Sequence, residues 1–234
     1  MDNKYALKLL QQNKENYNKI AREFSGTRGG PWKDLAILFE YITPNDKVLD
    51  LGCCNGRLYS AIKDKKAQYV GADNSEELIS IAQKNYPEAS FQVADALKLP
   101  FKDSSFDKIY AIAVLHHIPS KELRRQFLQE AKRVLKPDGL LIITVWKLAR
   151  IKRIKLLIKF SILKILHRTK LDFGDILVPW ASGNKRYVHQ YTKQSFKKDL
   201  KQSGFNIQKS GFLKLPKRKD SNIYAVVKKD KNGK

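Results

Sequence analysis

The chain has 234 residues, 42% of them hydrophobic, with two cysteines side by side at Cys53 and Cys54. That content suits one packed domain and excludes a disulfide framework, so a reduced, cytoplasmic setting is expected; the lack of any run near ~20 apolar residues argues against integral membrane association, and residues 1–12 lack a signal-peptide core. The net charge of +23 is unevenly placed, with 22 Lys/Arg against 18 Asp/Glu over residues 1–146 but 24 against 5 over residues 147–234. A uniformly lysine-decorated surface would not give that asymmetry, which points to a polyanionic partner, nucleic acid or an anionic membrane surface.

Along the chain, residues 3–24 show helical spacing (Tyr5, Leu9, Tyr17, Ile20, Phe24), followed by a glycine-rich loop through Pro31 and Trp32 and a short amphipathic helix over 33–42. From residue 47, strands alternate with helices. Strands are predicted at 47–51, 69–72, 90–93, 106–112 and 140–146, and helices at 56–63, 75–84 and 121–135. Lys136-Pro137-Asp138-Gly139 is a turn signal before the fifth strand. This alternation predicts an α/β fold with a doubly wound, mostly parallel sheet. Residues 147–170 interleave Ile and Leu with Lys and Arg as a basic amphipathic helix, residues 171–191 read as irregular, and 193–203 as a helix. Strands near 205–215 and 222–228 would complete seven strands with an antiparallel C-terminal strand. The expected organisation is a single domain over 1–234, with an N-terminal helical segment 1–45 and a basic helical insertion 147–191. The basic helix has three readings: a grip on RNA phosphates, a membrane-surface helix, or a cover for the sheet.

The chemistry is concentrated after the first strand. Val48-Leu49-Asp50-Leu51-Gly52-Cys53-Cys54-Asn55-Gly56 is an apolar strand ending in an acid and a glycine-punctuated turn, which lets backbone approach a nucleotide-like ligand. Asp73 lies 21 residues after Gly52, near the spacing expected of an acid that accepts ribose hydroxyls, and Asn74 follows it. Asp95 and Ala96 at the end of the third strand are candidates for contact with the base, and Ala113 after the fourth strand completes the cofactor-site candidates. No His, Cys, Asp or Glu set has metal-ligand spacing, and no metal is expected.

These motifs resemble the class I S-adenosylmethionine-dependent methyltransferases: Asp-Leu-Gly-X-X-X-Gly, then Asp73, Asp95-Ala96, Leu99 to Asp107, and Leu135 to Gly139. Phe24-Ser25-Gly26-Thr27-Arg28 with Pro31-Trp32, Ala111 to His117, Val145-Trp146, and Val178-Pro179-Trp180 followed by Arg186-Tyr187-Val188-His189 are similar to the tRNA wobble-uridine carboxymethyl methyltransferases, both AlkB-homologue-fused and stand-alone. The resemblance spans about residues 15–205. It implies a Rossmann-like methyltransferase fold, S-adenosyl-L-methionine as cofactor, and esterification of 5-carboxymethyluridine in the anticodon region of tRNA. It also brings, by family analogy only, a small zinc-binding activator subunit. A lipid-like acceptor such as a quinone precursor, or a non-catalytic RNA-binding relative, are the competing readings. The family usually has glycine where Cys54 stands; if that backbone needs a positive φ, the side chain costs on the order of 1 kcal/mol.

A carboxylate acceptor is already ionised at neutral pH and needs no general base, so the acceptor site needs a clamp, for which the planar fork of arginine is suited. Arg28 and Arg186 are the candidates, with His116 preferred over His117 as the acceptor-facing histidine. Trp32, Trp180 and Tyr187 are candidates to stack on an unpaired base, and His189 is read as structural or substrate-facing with equal weight.

Overall fold

The computed structural model describes residues 1–28, 35–147, 151–180, 183–214 and 221–230. A seven-stranded sheet carries β1 (Lys47–Leu51), β2 (Gln68–Asp73), β3 (Ser90–Val93), β4 (Phe106–Ile112), β5 (Leu135–Trp146), β8 (Phe205–Lys214) and β9 (Ser221–Lys229) in the order β3-β2-β1-β4-β5-β9-β8. The first five strands run parallel to one another, while β9 runs antiparallel to both β5 and β8. The strand order reverses between β1 and β4, and this switch point opens a crevice at the carboxyl ends of the strands.

Both faces of the sheet are buried because the central strands are apolar on both sides. Leu49, Leu51, Ile109, Ala111 and Ile143 face α5 (Lys121–Val134) and α7 (Lys193–Gln202) in one core cluster. Val48, Tyr110, Ile112 and Ile142 face the opposite cluster, which takes in α2 (Ala36–Phe39), α3 (Arg57–Ile62) and α4 (Glu76–Asn85). Helix starts are set by local chemistry: the Ser75 and Ser120 hydroxyls accept from the amides of Leu78 and Leu123, both at 3.2 Å, and Thr192 and Ser195 form a capping box.

Two expectations change. Residues 171–191 are not irregular: β6 (Asp175–Pro179) and β7 (Lys185–His189) form a separate antiparallel hairpin. Gly174, Pro179 and Gly183 hid it, because each reads locally as a break, while the pairing satisfies the backbone between them. The Lys136–Gly139 turn lies within the bounds of β5, where the register against β4 shifts between Phe106 and Lys108. The basic helix is α6 (Ile151–Ile165), and residues 148–150 of that predicted span lie outside the described residues.

α1 (Asn3–Gly26) roofs the crevice. Its buried face carries Asn13 and Asn16 beside Leu9 and Ile20. Asn13 donates to the His117 carbonyl at 3.1 Å and accepts from the Tyr187 amide at 3.3 Å, while Asn16 donates to the Lys185 carbonyl at 3.2 Å. These buried amides bind backbone that the sheet ladders leave open, so α1, β7 and the turn after β4 are held as one unit.

Candidate active site

The turn after β1 has the geometry its glycines predicted. Gly52 has φ of +81°, and a Cβ there would lie 2.4 Å from Val114 Cγ2, so only glycine keeps the turn against the loop after β4. Gly56 starts α3 at φ of +78°, and its missing side chain makes room for the Phe91 ring, 2.8 Å from where a Cβ would stand. Cys54 does adopt a left-handed backbone, with φ of 51°. Its amide donates to Asp73 Oδ2 at 3.0 Å, and the Ser75 amide donates to Asp73 Oδ1 at 3.0 Å. The two bonds aim the carboxylate across the end of β2. Burial pushes the Asp73 carboxyl up from its usual range, and these N–H bonds oppose the shift.

Two cavities adjoin here. The first lies over the ends of β1, β2 and β3, with Gly52, Asp73, Asn74, Ala94 and Ala96 in its wall. The second lies over β4, β5 and β7, with Arg28, Arg57, Trp146, Arg186 and Asn222 in its wall. Tyr17, Cys54, Ile112, Ala113 and His117 line both. Ala113, like Cys54, has a positive φ, of 60°, with its amide held by Thr144 Oγ1 at 2.9 Å. Strained backbone thus stands on the shared wall, where it persists only because its surroundings over-determine it.

The first cavity fits an adenosine-bearing cofactor. It has a glycine cradle that a Cβ would fill, an anchored carboxylate at the ribose position, and small apolar walls from Ala94 and Ala96. Asp50 and Asp95 do not line it. Asp50 lies beneath the turn, 2% exposed, and accepts from the Tyr69 hydroxyl at 2.8 Å. The exposed Asp95 accepts from the Leu97 amide at 2.9 Å, so its backbone neighbours rather than its carboxylate form the wall. Gly56 is likewise a packing glycine outside both cavities.

Asp50 has a measurable consequence. Burial pushes its carboxyl up to about 7, against the Tyr69 hydrogen bond that favours the ionised form. The native state therefore holds a proton that the unfolded chain releases near pH 4, and stability falls as pH rises from about 4 to 7. A shift of three units corresponds to about 4 kcal/mol. Asp50→Asn is expected to remove most of this slope, read as melting temperature across pH 4–8; an unchanged slope refutes the assignment.

The histidine preference is corrected. His116 is fully buried, lines neither cavity, and is packed against Trp146 with ring centroids 4.5 Å apart. The short 3-10 turn at Leu115–His117 directs His116 into the core and His117 to the shared wall. His117 Nδ1 is 3.2 Å from the Tyr187 carbonyl, which only accepts, so Nδ1 carries the proton and Nε2 accepts from the Tyr17 hydroxyl at 3.4 Å. Burial and the nearby Arg186 push His117 down to about 3, so it is neutral at physiological pH.

Arg186 reaches the second cavity from β7. Its guanidinium carbon lies 4.2 Å from the Trp180 ring centroid and 4.7 Å from that of Trp146, and Nη1 donates to the Tyr17 hydroxyl at 3.4 Å. It is 9% exposed, its Nε has no hydrogen-bond partner, and it makes no ion pair among the described residues. Arg28 stands over the Phe24 ring at 3.7 Å and donates to Thr27 Oγ1 at 2.9 Å. Tyr187 is not available for stacking: it is 1% exposed and donates to Asp175 at 2.6 Å, and His189 pairs with the same carboxylate at 2.7 Å. Trp32 lies outside the described residues. Among the described residues, no group of three or more His, Cys, Asp or Glu is placed to hold a metal ion.

The sequence reading missed Tyr17, Arg57, Trp146 and His117 as wall residues. The signal available for Tyr17 was its place beside Asn13 and Asn16 on an otherwise apolar helix face, where polar residues need a partner.

Comparison with known proteins agrees with this geometry. The methyltransferase domain family model matches residues 49–143. A putative methyltransferase of Encephalitozoon cuniculi is 31% identical over 217 residues, 91% of this chain and 93% of that protein. The mouse tRNA (carboxymethyluridine(34)-5-O)-methyltransferase ALKBH8 is 37% identical over 144 residues, 61% of this chain, and the chain spans only 21% of its length. The crystal structure of a SAM-dependent methyltransferase from Methanosarcina mazei superposes with a TM-score of 0.71 at 25% identity, covering 82% of this chain and 96% of that one. Fold, cofactor cavity and relatives agree: the chain belongs to the class I S-adenosylmethionine-dependent methyltransferases.

Proposed function

We propose that the chain methylates tRNA, esterifying the carboxylate of 5-carboxymethyluridine at the wobble position, in the cytoplasm. The observation that carries this reading is in the second cavity: Arg186, 9% exposed and in no ion pair among the described residues, lines it together with Arg28 and Arg57. Such a wall selects an anionic acceptor. The similarity to tRNA methyltransferases supports it, and favours neither a lipid-like acceptor nor a non-catalytic relative.

The cofactor, when bound, supplies an electrophilic methyl group. Gly52, Asp73 and Asn74 hold it, and the shared wall of Tyr17, Cys54, Ala113 and His117 is where the two ligands meet. The acceptor carboxylate is ionised already, so no residue has to remove a proton. Arg186 and Arg28 clamp the carboxylate and a flanking phosphate. Neutral His117 adds no competing positive charge and, through Tyr17, keeps Arg186 oriented. Reaction rate comes from positioning. Trp180 offers a face for an unpaired base. A small zinc-binding activator subunit is proposed by family analogy alone.

Incubation with labelled cofactor, tRNA carrying unesterified carboxymethyluridine, and a lipid extract tests this. Label should enter tRNA and be released by mild alkali, as an ester requires. Label in lipid alone, or alkali-stable label in tRNA, would refute it. Binding to tRNA should also weaken steeply with salt.

A further inference from the structure

α6 leaves an apolar stripe in solvent. Leu156, Phe160 and Leu163 are turned toward the protein, and Phe160 packs on the cluster of Leu9, Leu171 and Tyr187. The opposite face carries Ile154, Ile158, Ile162 and Ile165, at 41%, 55%, 50% and 65% exposure, continued by Leu166 at 55%. Their spacing puts them in one line along the helix, and Lys155 and Lys159, both exposed, border that line on one side. The helix has no acidic residue. A helix that covered the sheet would place its isoleucines inward, so the covering role falls to the other face.

We propose that this face of α6 docks on an anionic membrane surface, lying in the interface without crossing it. Charge and shape choose the occupant. RNA phosphates would engage the lysines but leave four isoleucines in water, since phosphate contacts are electrostatic. A second copy would bring two acid-free basic helices together. An anionic bilayer satisfies both halves, with aliphatic side chains entering the acyl boundary and lysines meeting headgroups. The helix has 15 residues, and no helix among the described residues is long and apolar enough to span. The cavities lie elsewhere: none of these isoleucines lines either. Docking is therefore separable from methyl transfer.

The full chain is floated on density gradients with vesicles of phosphatidylcholine alone or with phosphatidylglycerol added. Flotation is expected only with the anionic vesicles. Ile158→Asp with Ile162→Asp should cut partitioning at least about tenfold, with melting temperature, tRNA binding and methylation unchanged. Lys155→Gln with Lys159→Gln, which keeps the stripe, should also reduce it and blunt its dependence on lipid charge. Absence of flotation at every composition overturns the proposal, as does flotation that the isoleucine pair leaves intact. Loss of tRNA binding in the isoleucine variant assigns the stripe to RNA, and a dimer that this variant dissolves assigns it to self-association; either result also overturns it.

Discussion

Arg186→Ala should lose methyl transfer to tRNA by about thirtyfold to a few thousandfold in kcat/KM while S-adenosylmethionine affinity changes less than about threefold. Truncating one member of a desolvated charge pair costs roughly 2–5 kcal/mol, which corresponds to that range. The asymmetry between ligands follows from position: Arg186 lines the second cavity and not the first. Arg186→Lys should recover only part of the loss, because an ammonium keeps the charge but not the fork that spans a carboxylate. Removing the guanidinium also empties the space between Trp146 and Trp180, so folding is monitored by melting temperature. Equal loss of cofactor binding and transfer in a folded protein would refute the clamp.

Asp73→Ala should weaken cofactor binding about a hundredfold or more in calorimetry, since each hydrogen bond to a charged group contributes roughly 1.5–3 kcal/mol and two ribose hydroxyls are available. The same change strips acceptors from the Cys54 and Ser75 amides, so the turn itself should loosen. Asp73→Asn separates the effects: it keeps acceptor capacity for one amide and should preserve stability better than cofactor affinity. An unaltered dissociation constant in either variant would remove Asp73 from the site.

The central strands and the glycine turn were legible because their causes are local. An apolar run, an acid, and glycines at 52 and 56 state a strand and a turn without reference to the rest of the chain, and Asp73 follows at a distance set by one strand–helix–strand unit. Cys54 was legible as a departure, and its φ of 51° shows that the turn keeps its left-handed conformation with a side chain in place. What escaped was set by distant partners. The β6–β7 hairpin is anchored by Asn13 and Asn16, about 170 residues earlier, which bind the backbone of β7. The choice between His116 and His117 turned on a single-turn 3-10 segment whose two rings lie 4.3 Å apart, one fully buried and the other on the cavity wall, and no periodicity resolves adjacent residues there.

By itself, then, the sequence determined the order of elements outside residues 171–191, the doubly wound sheet, the cofactor turn and the basic second half, since each depends on neighbours along the chain or on total charge. Tertiary structure alone decided how the ligands divide the site. The fold brings Tyr17 of α1 between Arg186 and His117, buries His116 and Tyr187, and gathers Arg28, Arg57 and Arg186 from separate segments around one cavity. The physical reason is that burial and pairing are properties of space rather than of sequence: a side chain's role depends on what the fold places against it, and those neighbours lie as far as 174 residues away.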